Sequence, residues 1–249
     1  MVEDVSTGGL VARIAHRLAE VRRRIVEASN AAGRDPSAVR LVAASKGQPV
    51  EAIRAAWDHG QHDFGENYVQ ELTNKAAQLR ELEGPGGLRW HAIGRLQRNK
   101  VRDVLRIASV IHAVDRAELA REINRRVAAE GRHAEVLVEV NLGAETSKGG
   151  CAPKDLGPLL EDIADCVHLT VRGLMTIPPA TDTSEEARRF FSALRELRDR
   201  HGGAPVLPEL SMGMSHDFEV AIAEGATLVR VGTAIFGARE PAPDREPRP

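Results

Sequence analysis

The sequence predicts a closed (β/α)8 barrel. Eight short apolar runs alternate with helical stripes along the chain, and such alternation implies a parallel sheet with helices packed on it. The length, 249 residues, suits one such barrel, which takes about 250. An open doubly wound sheet is the alternative, but it usually carries a Gly-rich first turn, and no G-x-G-x-x-G follows the first strand.

The elements follow in order. Leu10, Ile14, Leu18, Val21, Ile25 and Ala28 recur three or four apart, an amphipathic helix ending near Gly33 and preceding the first strand. LVAASK (41–46) is strand one, and Val50, Ile53 and Trp57 mark a helix closed by Gly60. HDFGEN (62–67) is strand two, followed by a stripe of Val69, Leu72, Ala76 and Leu79. After a turn at 84–87, LRWHAIG (88–94) is strand three, with a short helix over 96–105. SVIHAVD (109–115) is strand four, and Asp115 is the expected N-cap of a helix carrying Leu119, Ile123 and Val127. EVLVEVNL (135–142) is strand five, followed by the loop GAETSKGG and a helix marked by Leu156, Leu159, Leu160 and Ile163. LTVRGLMT (169–176) is strand six, and Thr183 and Glu186 have capping-box spacing ahead of Phe190, Phe191, Leu194 and Leu197. ELSMG (209–213) is strand seven, residues 218–223 are helical, and TLVRVG (227–232) is strand eight. Residues 1–239 are expected to form one domain, and 240–249, with four prolines, a disordered tail.

Composition removes several function classes. With 42% hydrophobic residues the chain can bury a sizeable core, and a net charge of −2 without a basic tract argues against nucleic-acid binding. No apolar run approaches a membrane span, and MVEDVSTGG has no secretory pattern. Cys151 and Cys166 lack C-x-x-C spacing, so the expectation is a reduced, cytoplasmic protein. No H-E-x-x-H or Cys/His cluster offers a metal site, and no G-x-S-x-G or pair of catalytic carboxylates is visible.

The chemistry centres on Lys46, where an apolar strand ends. A lysine against apolar surroundings has a lowered pKa and more free amine, the species a Schiff base with an aldehyde requires. The alternative is an ammonium that reaches water past the strand end. In such barrels the active site lies at the C-terminal ends of the strands, with phosphate often bound after strands seven and eight. Strand seven runs into Met214 and Ser215, strand eight into Gly232 and Thr233. Glycines let N–H groups approach an anion and hydroxyls can donate to it, which favours phosphate. Ordinary turn glycines, with Ser215 capping the next helix, are the alternative. Arg230 shares a face with Leu228 and Gly232, so it points into the barrel and needs an acceptor, either a carboxylate such as Glu139 or a ligand. Asn67 and Asn141 close strands two and five. His91 lies in strand three and His112 in strand four, where a lone histidine is by default structural. Lys148 lies in a loop near the barrel mouth and is expected to be solvated.

LVAASK, FGENYVQE, WHAIGRLQRNK, VNLGAETSKGG, RGLMTI, SMGMSHDFEVAI and VRVGTAIFGAR, in this order from Leu41 to Arg239, resemble the pyridoxal phosphate homeostasis protein family. Arg95 stands where that family commonly has proline. The resemblance implies a (β/α)8 barrel similar to the N-terminal domain of alanine racemase, binding pyridoxal 5′-phosphate. It implies that Lys46 forms the Schiff base, that Ser215, Gly232 and Thr233 hold the phosphate, and that Arg230 contacts the pyridine nitrogen. Asn67, His91 and Met214 would line the site. The family's role is vitamin B6 homeostasis without an established catalytic activity.

A cationic arginine at the pyridine nitrogen disfavours its protonation and weakens the ring as an electron sink, which agrees with that role. Racemases on this scaffold use an opposing acid from a second domain, and here the chain ends seventeen residues after Gly232. The expectation is a cytoplasmic, monomeric pyridoxal phosphate carrier, with pyridoxal phosphate-dependent apoenzymes as partners and without nucleic acid, membrane or metal. The alternatives are a low-activity amino-acid racemase and a Schiff-base aldolase.

Overall fold

The computed structural model describes residues 3–145 and 148–238. The segment 240–249, expected as a tail, lies outside the described residues. Eight strands form a closed barrel in sequence order: β1 (Arg40–Ala44), β2 (Asp63–Glu66), β3 (Arg89–Ala92), β4 (Ala108–Val114), β5 (Ala134–Glu139), β6 (Leu169–Met175), β7 (Glu209–Ser211) and β8 (Leu228–Val231). All neighbours are parallel, and β8 closes on β1 with Val42 opposite Arg230 and Ala43 opposite Val231. Every strand therefore ends at the same rim.

Around the barrel lie α1 (Glu3–Ala31), α2 (Val50–Asp58), α3 (Val69–Gln78), α4 (Val101–Leu105), α5 (Ala117–Ala129), α6 (Leu156–Ala164), α7 (Arg188–Arg200), α8 (Gly203–Val206), α9 (Phe218–Ala223) and α10 (Thr233–Phe236). The strands are largely apolar because both faces are covered. Leu41, Ala43, Val229 and Val231 pack outward under the helices, whereas Val42, Val110, Leu137, Met175 and Leu228 fill the barrel. The face pattern expected of strand eight is the one observed: Val229 and Val231 face the helices, and Leu228 faces the interior.

The extra helix α1 buries Ile14, Leu18, Val21 and Ile25 and packs on α2, α9 and α10. Polar ties reinforce it. Arg24 Nε donates to Glu219 Oε1 at 2.6 Å while its guanidinium lies 4.6 Å from the centre of the Phe218 ring, and Arg22 donates to the carbonyls of His59 and Gly60. Between β6 and β7 the backbones approach so closely that a Cβ on Gly173 would lie 1.8 Å from the Glu209 carbonyl oxygen, so only glycine fits there.

Three local expectations are corrected. Arg116, not Asp115, is the N-cap of α5, because Asp115 is engaged in an ion pair with Arg116. Ser215 does not cap α9; that position belongs to Asp217, whose Oδ1 accepts the Met214 N–H at 2.6 Å. The Thr183 hydroxyl does meet the Glu186 N–H, at 3.4 Å, but it opens a short 3-10 turn (Glu185–Ala187) ahead of α7.

The interior also holds Glu139, only 5% exposed. Burial pushes its carboxyl up to about 7, Asp115 pushes the same way, and Arg230 and Arg95 pull it down. A carboxyl with a higher pKa folded than unfolded contributes stability below the unfolded value, and loses it as pH rises through the folded one. Glu139→Gln removes the ionisation. In urea unfolding the stability of the Gln variant relative to the parent should grow by roughly 2–3 kcal/mol between pH 5 and pH 8. A difference independent of pH would show that the Glu139 carboxyl ionises in the fold as readily as in the unfolded chain, its pKa not raised by burial.

Candidate functional site

Residues from both ends of the chain meet at the rim where β8 joins β1. Beyond β1, Ser45 to Gln48 form a turn in which the Gln48 N–H donates to the Ser45 carbonyl at 3.0 Å and Gly47 takes the left-handed corner at φ 70°. Lys46 occupies that turn and lines a cavity of about 310 Å³ together with Asn67 beyond β2, Met214 and Ser215 beyond β7, and Arg230, Gly232 and Thr233 from β8. The seam is tight here, since a Cβ on Gly232 would lie 3.0 Å from the Ala44 carbonyl oxygen.

The loops after β7 and β8 interlock through Ser215. Its Oγ accepts the N–H groups of Gly232 and Ala234, each at 3.2 Å, at the start of α10. A hydroxyl that already accepts twice directs its own proton elsewhere, so Ser215 is set up as a donor. Across the cavity Asn67 Oδ1 is buried without a hydrogen-bond partner among the described residues.

Arg230 is 4% exposed and projects inward. Its acceptors are the Ser211 hydroxyl at 2.6 Å and the Thr176 carbonyl at 2.9 Å, not the Glu139 carboxylate, which acts on it through the field alone. Burial lowers the guanidinium, against the upward pull of Glu139 and Asp217, to about 10, so it remains a cation at neutral pH.

His91 does not join the lining residues. Its ring sits deeper in the barrel, 1% exposed, with Nε2 2.8 Å from Asp63 Oδ1 and Nδ1 2.9 Å from His112 Nε2. The lining position on this strand's inward register belongs to Ile93, two residues nearer the rim. His112 Nδ1 then meets Ser211 Oγ at 3.0 Å. A chain of side chains thus links Asp63, near the opposite end of the barrel, to Arg230. Burial pushes Asp63 up, but His91 and Arg89 outweigh it and hold the carboxyl below its ordinary value. Burial lowers His112 well below the usual imidazole range, and His91 and Arg230 add to the effect. Placing one proton in each contact makes the chain run one way: Arg230 donates to Ser211, Ser211 to His112, His112 Nε2 to His91, and His91 Nε2 to Asp63. Arg230, which can only donate, sets this direction from its end of the chain.

Ile93, Ile177, Gln48 and His216 also line the cavity. The first two were readable from alternation, because each lies two residues beyond an inward-facing position of its strand. Gln48 and His216 lie in loops and carried no such signal. Lys148 donates to the Pro178 carbonyl at 2.9 Å and pairs with Glu145. Asn141 Nδ2 donates to the Glu145 carbonyl at 2.8 Å, which ties down the same loop. Among the described residues no cluster of three or more His, Cys, Asp or Glu side chains could hold a metal ion, and no helix is long and apolar enough to cross a membrane.

Comparison with known proteins agrees with this architecture. The family model for the alanine racemase N-terminal domain matches residues 12–240. The pyridoxal phosphate homeostasis protein of Aquifex aeolicus is 46% identical over 226 residues, 90% of this chain and 97% of that protein. The protein of the same name from Escherichia coli is 44% identical over 231 residues, covering 91% and 97%. The structure of PipY from Synechococcus elongatus with PLP bound aligns with a TM-score of 0.76 at 39% identity, over 90% of this chain and all of that one. A barrel closed in sequence order, a lysine at the β1 rim and paired loops after β7 and β8 accompany this similarity over nearly the whole length, and the chain belongs to the pyridoxal phosphate homeostasis protein family.

Proposed function

We propose that this chain binds pyridoxal 5′-phosphate in the rim cavity, attaches it through Lys46, and holds it for vitamin B6 homeostasis without turning over a substrate. The observation that carries this reading is one cavity with an amine on one side, an interlocked pair of N–H- and hydroxyl-bearing loops on another, and a buried arginine between them. The homeostasis role named for relatives at 44–46% identity, and the PLP bound in PipY, support it.

The donor set suits the cofactor. Pyridoxal phosphate supplies an aldehyde that condenses with an amine and a pyridine ring that withdraws electrons when its nitrogen is protonated. Lys46 offers the amine. The hydroxyls of Ser215 and Thr233, beside Gly232, form an anion cradle between the loops after β7 and β8, where this barrel class binds phosphate. The partnerless Asn67 Oδ1 gives the opposite wall a polar group for the ring hydroxyl. Arg230, held as a cationic donor by Ser211 and the Thr176 carbonyl, opposes protonation of a ring nitrogen placed against it. That favours storage over carbanion chemistry. Apoenzymes that need the cofactor are the partners this reading implies.

Lys46→Ala should abolish covalent attachment. Borohydride reduction of the loaded parent followed by peptide mass analysis should place the adduct on Lys46, and an adduct on Lys148 or Lys100 would move the site elsewhere.

Ser215→Ala and Thr233→Val each remove a donor to the phosphate. A hydrogen bond to a charged group is worth roughly 1.5–3 kcal/mol, so each should raise the dissociation constant about tenfold or more in equilibrium titration while the circular dichroism spectrum stays that of the folded barrel. Unchanged affinity in both would place the phosphate outside these loops.

The function itself is tested by incubating the loaded protein with amino acids in deuterated water. Exchange of the α-proton should run no faster than with the free cofactor. Exchange at an enzymatic rate, on the order of 1–10³ per second, would make the protein a racemase-like enzyme.

A further inference from the structure

Behind the turn that carries Lys46 lies a buried ammonium. Lys75 sits on α3 with 9% of its side chain exposed, and it meets Glu66 Oε1 at 2.7 Å, Glu71 Oε2 at 3.0 Å and the Ser45 carbonyl at 2.8 Å. Three acceptors use all three of its protons. The two carboxylates also grip the turn: Ser45 Oγ donates to Glu66 Oε1 at 2.8 Å, and the Gly47 N–H donates to Glu71 Oε2 at 2.7 Å. The residue before Lys46 and the residue after it are thus tied to one cluster, while Lys46 itself lines the cavity.

Stability is a weak reason for such a cluster. The Glu66 carboxyl is fully buried, its second oxygen has no hydrogen-bond partner among the described residues, and apolar side chains of similar size usually stabilise a core at least as well as a buried ion pair. What a directional cluster adds is a single geometry, and a reacting group must be held within about 0.5 Å of its productive position.

We propose that Lys75, with Glu66 and Glu71, is a positioning cluster that fixes the Ser45–Gln48 turn so that Lys46 Nζ is aimed at the aldehyde of pyridoxal phosphate. It governs formation of the covalent bond and leaves phosphate recognition to the loops after β7 and β8. The bond formed joins Nζ to the aldehyde carbon as C=N, and the carbonyl oxygen leaves as water with the two protons of the neutral amine. No electrons are gained or lost. This inference rests on Lys46 being the attachment point.

The test compares Glu71→Ala and Lys75→Met with the parent, using pyridoxal phosphate and pyridoxine phosphate, which keeps the ring and phosphate but has an alcohol in place of the aldehyde. Both variants should slow appearance of the C=N absorption band about tenfold or more, the worth of one charge-assisted hydrogen bond. Affinity for pyridoxine phosphate should not change. If Lys75→Met fails to fold, Glu71→Ala, at a partly exposed position, decides the matter. Equal losses with both ligands, or no loss with either, would overturn the proposal. The rate at which an amine-reactive reagent labels Lys46 in the unliganded variants gives an independent reading: a changed rate supports the cluster, and an unchanged one overturns it. A parent chain that labels normally yet forms no C=N bond would instead sink the functional reading.

Discussion

The pairing of β8 with β1 is the constraint on which the rest depends. Val42 opposite Arg230 and Ala43 opposite Val231 bring together strands separated by nearly the whole chain. This contact closes the sheet, removes its edges, and sets Lys46 beside Gly232 and Thr233. A slip of one residue would turn Arg230 outward under the helices and bring a valine into the barrel. Register here thus decides at once whether the fold closes and whether the rim has a cation facing inward.

The interior is more polar than a barrel needs for packing. Asp63, His91, His112, Ser211 and Arg230 cross it as a hydrogen-bonded chain, while Val42, Leu137, Met175 and Leu228 fill the space around them. Each member is buried and each has partners, the condition under which such a chain is tolerated. Its direction follows from its two ends, because the Arg230 guanidinium can only donate and the Asp63 carboxylate can only accept.

Most of the fold was legible because a sheet covered on both faces writes itself as short apolar runs, and all eight were visible. The candidate site was legible at strand ends: Lys46, Ser215, Gly232 and Thr233 line one cavity at the rim to which the barrel rule points. Depth along a strand was not legible. The family resemblance put His91 at the wall, yet the rim position on its strand is Ile93, and alternation gives the face without the layer. Lys75 was hidden for another reason. It falls between Leu72 and Ala76 on the buried stripe of α3, where a cation reads as noise until the carboxylates of Glu66 and Glu71 are seen beside it. The caps failed because a side chain that suits a cap can be claimed by a nearer ion pair, as Asp115 is by Arg116.

The helix α1 has a consequence in time. It precedes every strand, yet its partners include α9 and α10, which follow β7 and β8. Contacts between such distant segments form slowly, because the loop they close is long. Lys46 leaves the ribosome well before Ser215, Gly232 and Thr233, so a nascent chain carries the amine long before it carries the loops after β7 and β8. Only the closed barrel joins the two. A ligand held by both would act on the folded state alone, and its supply would then help set how much of the newly made chain remains closed.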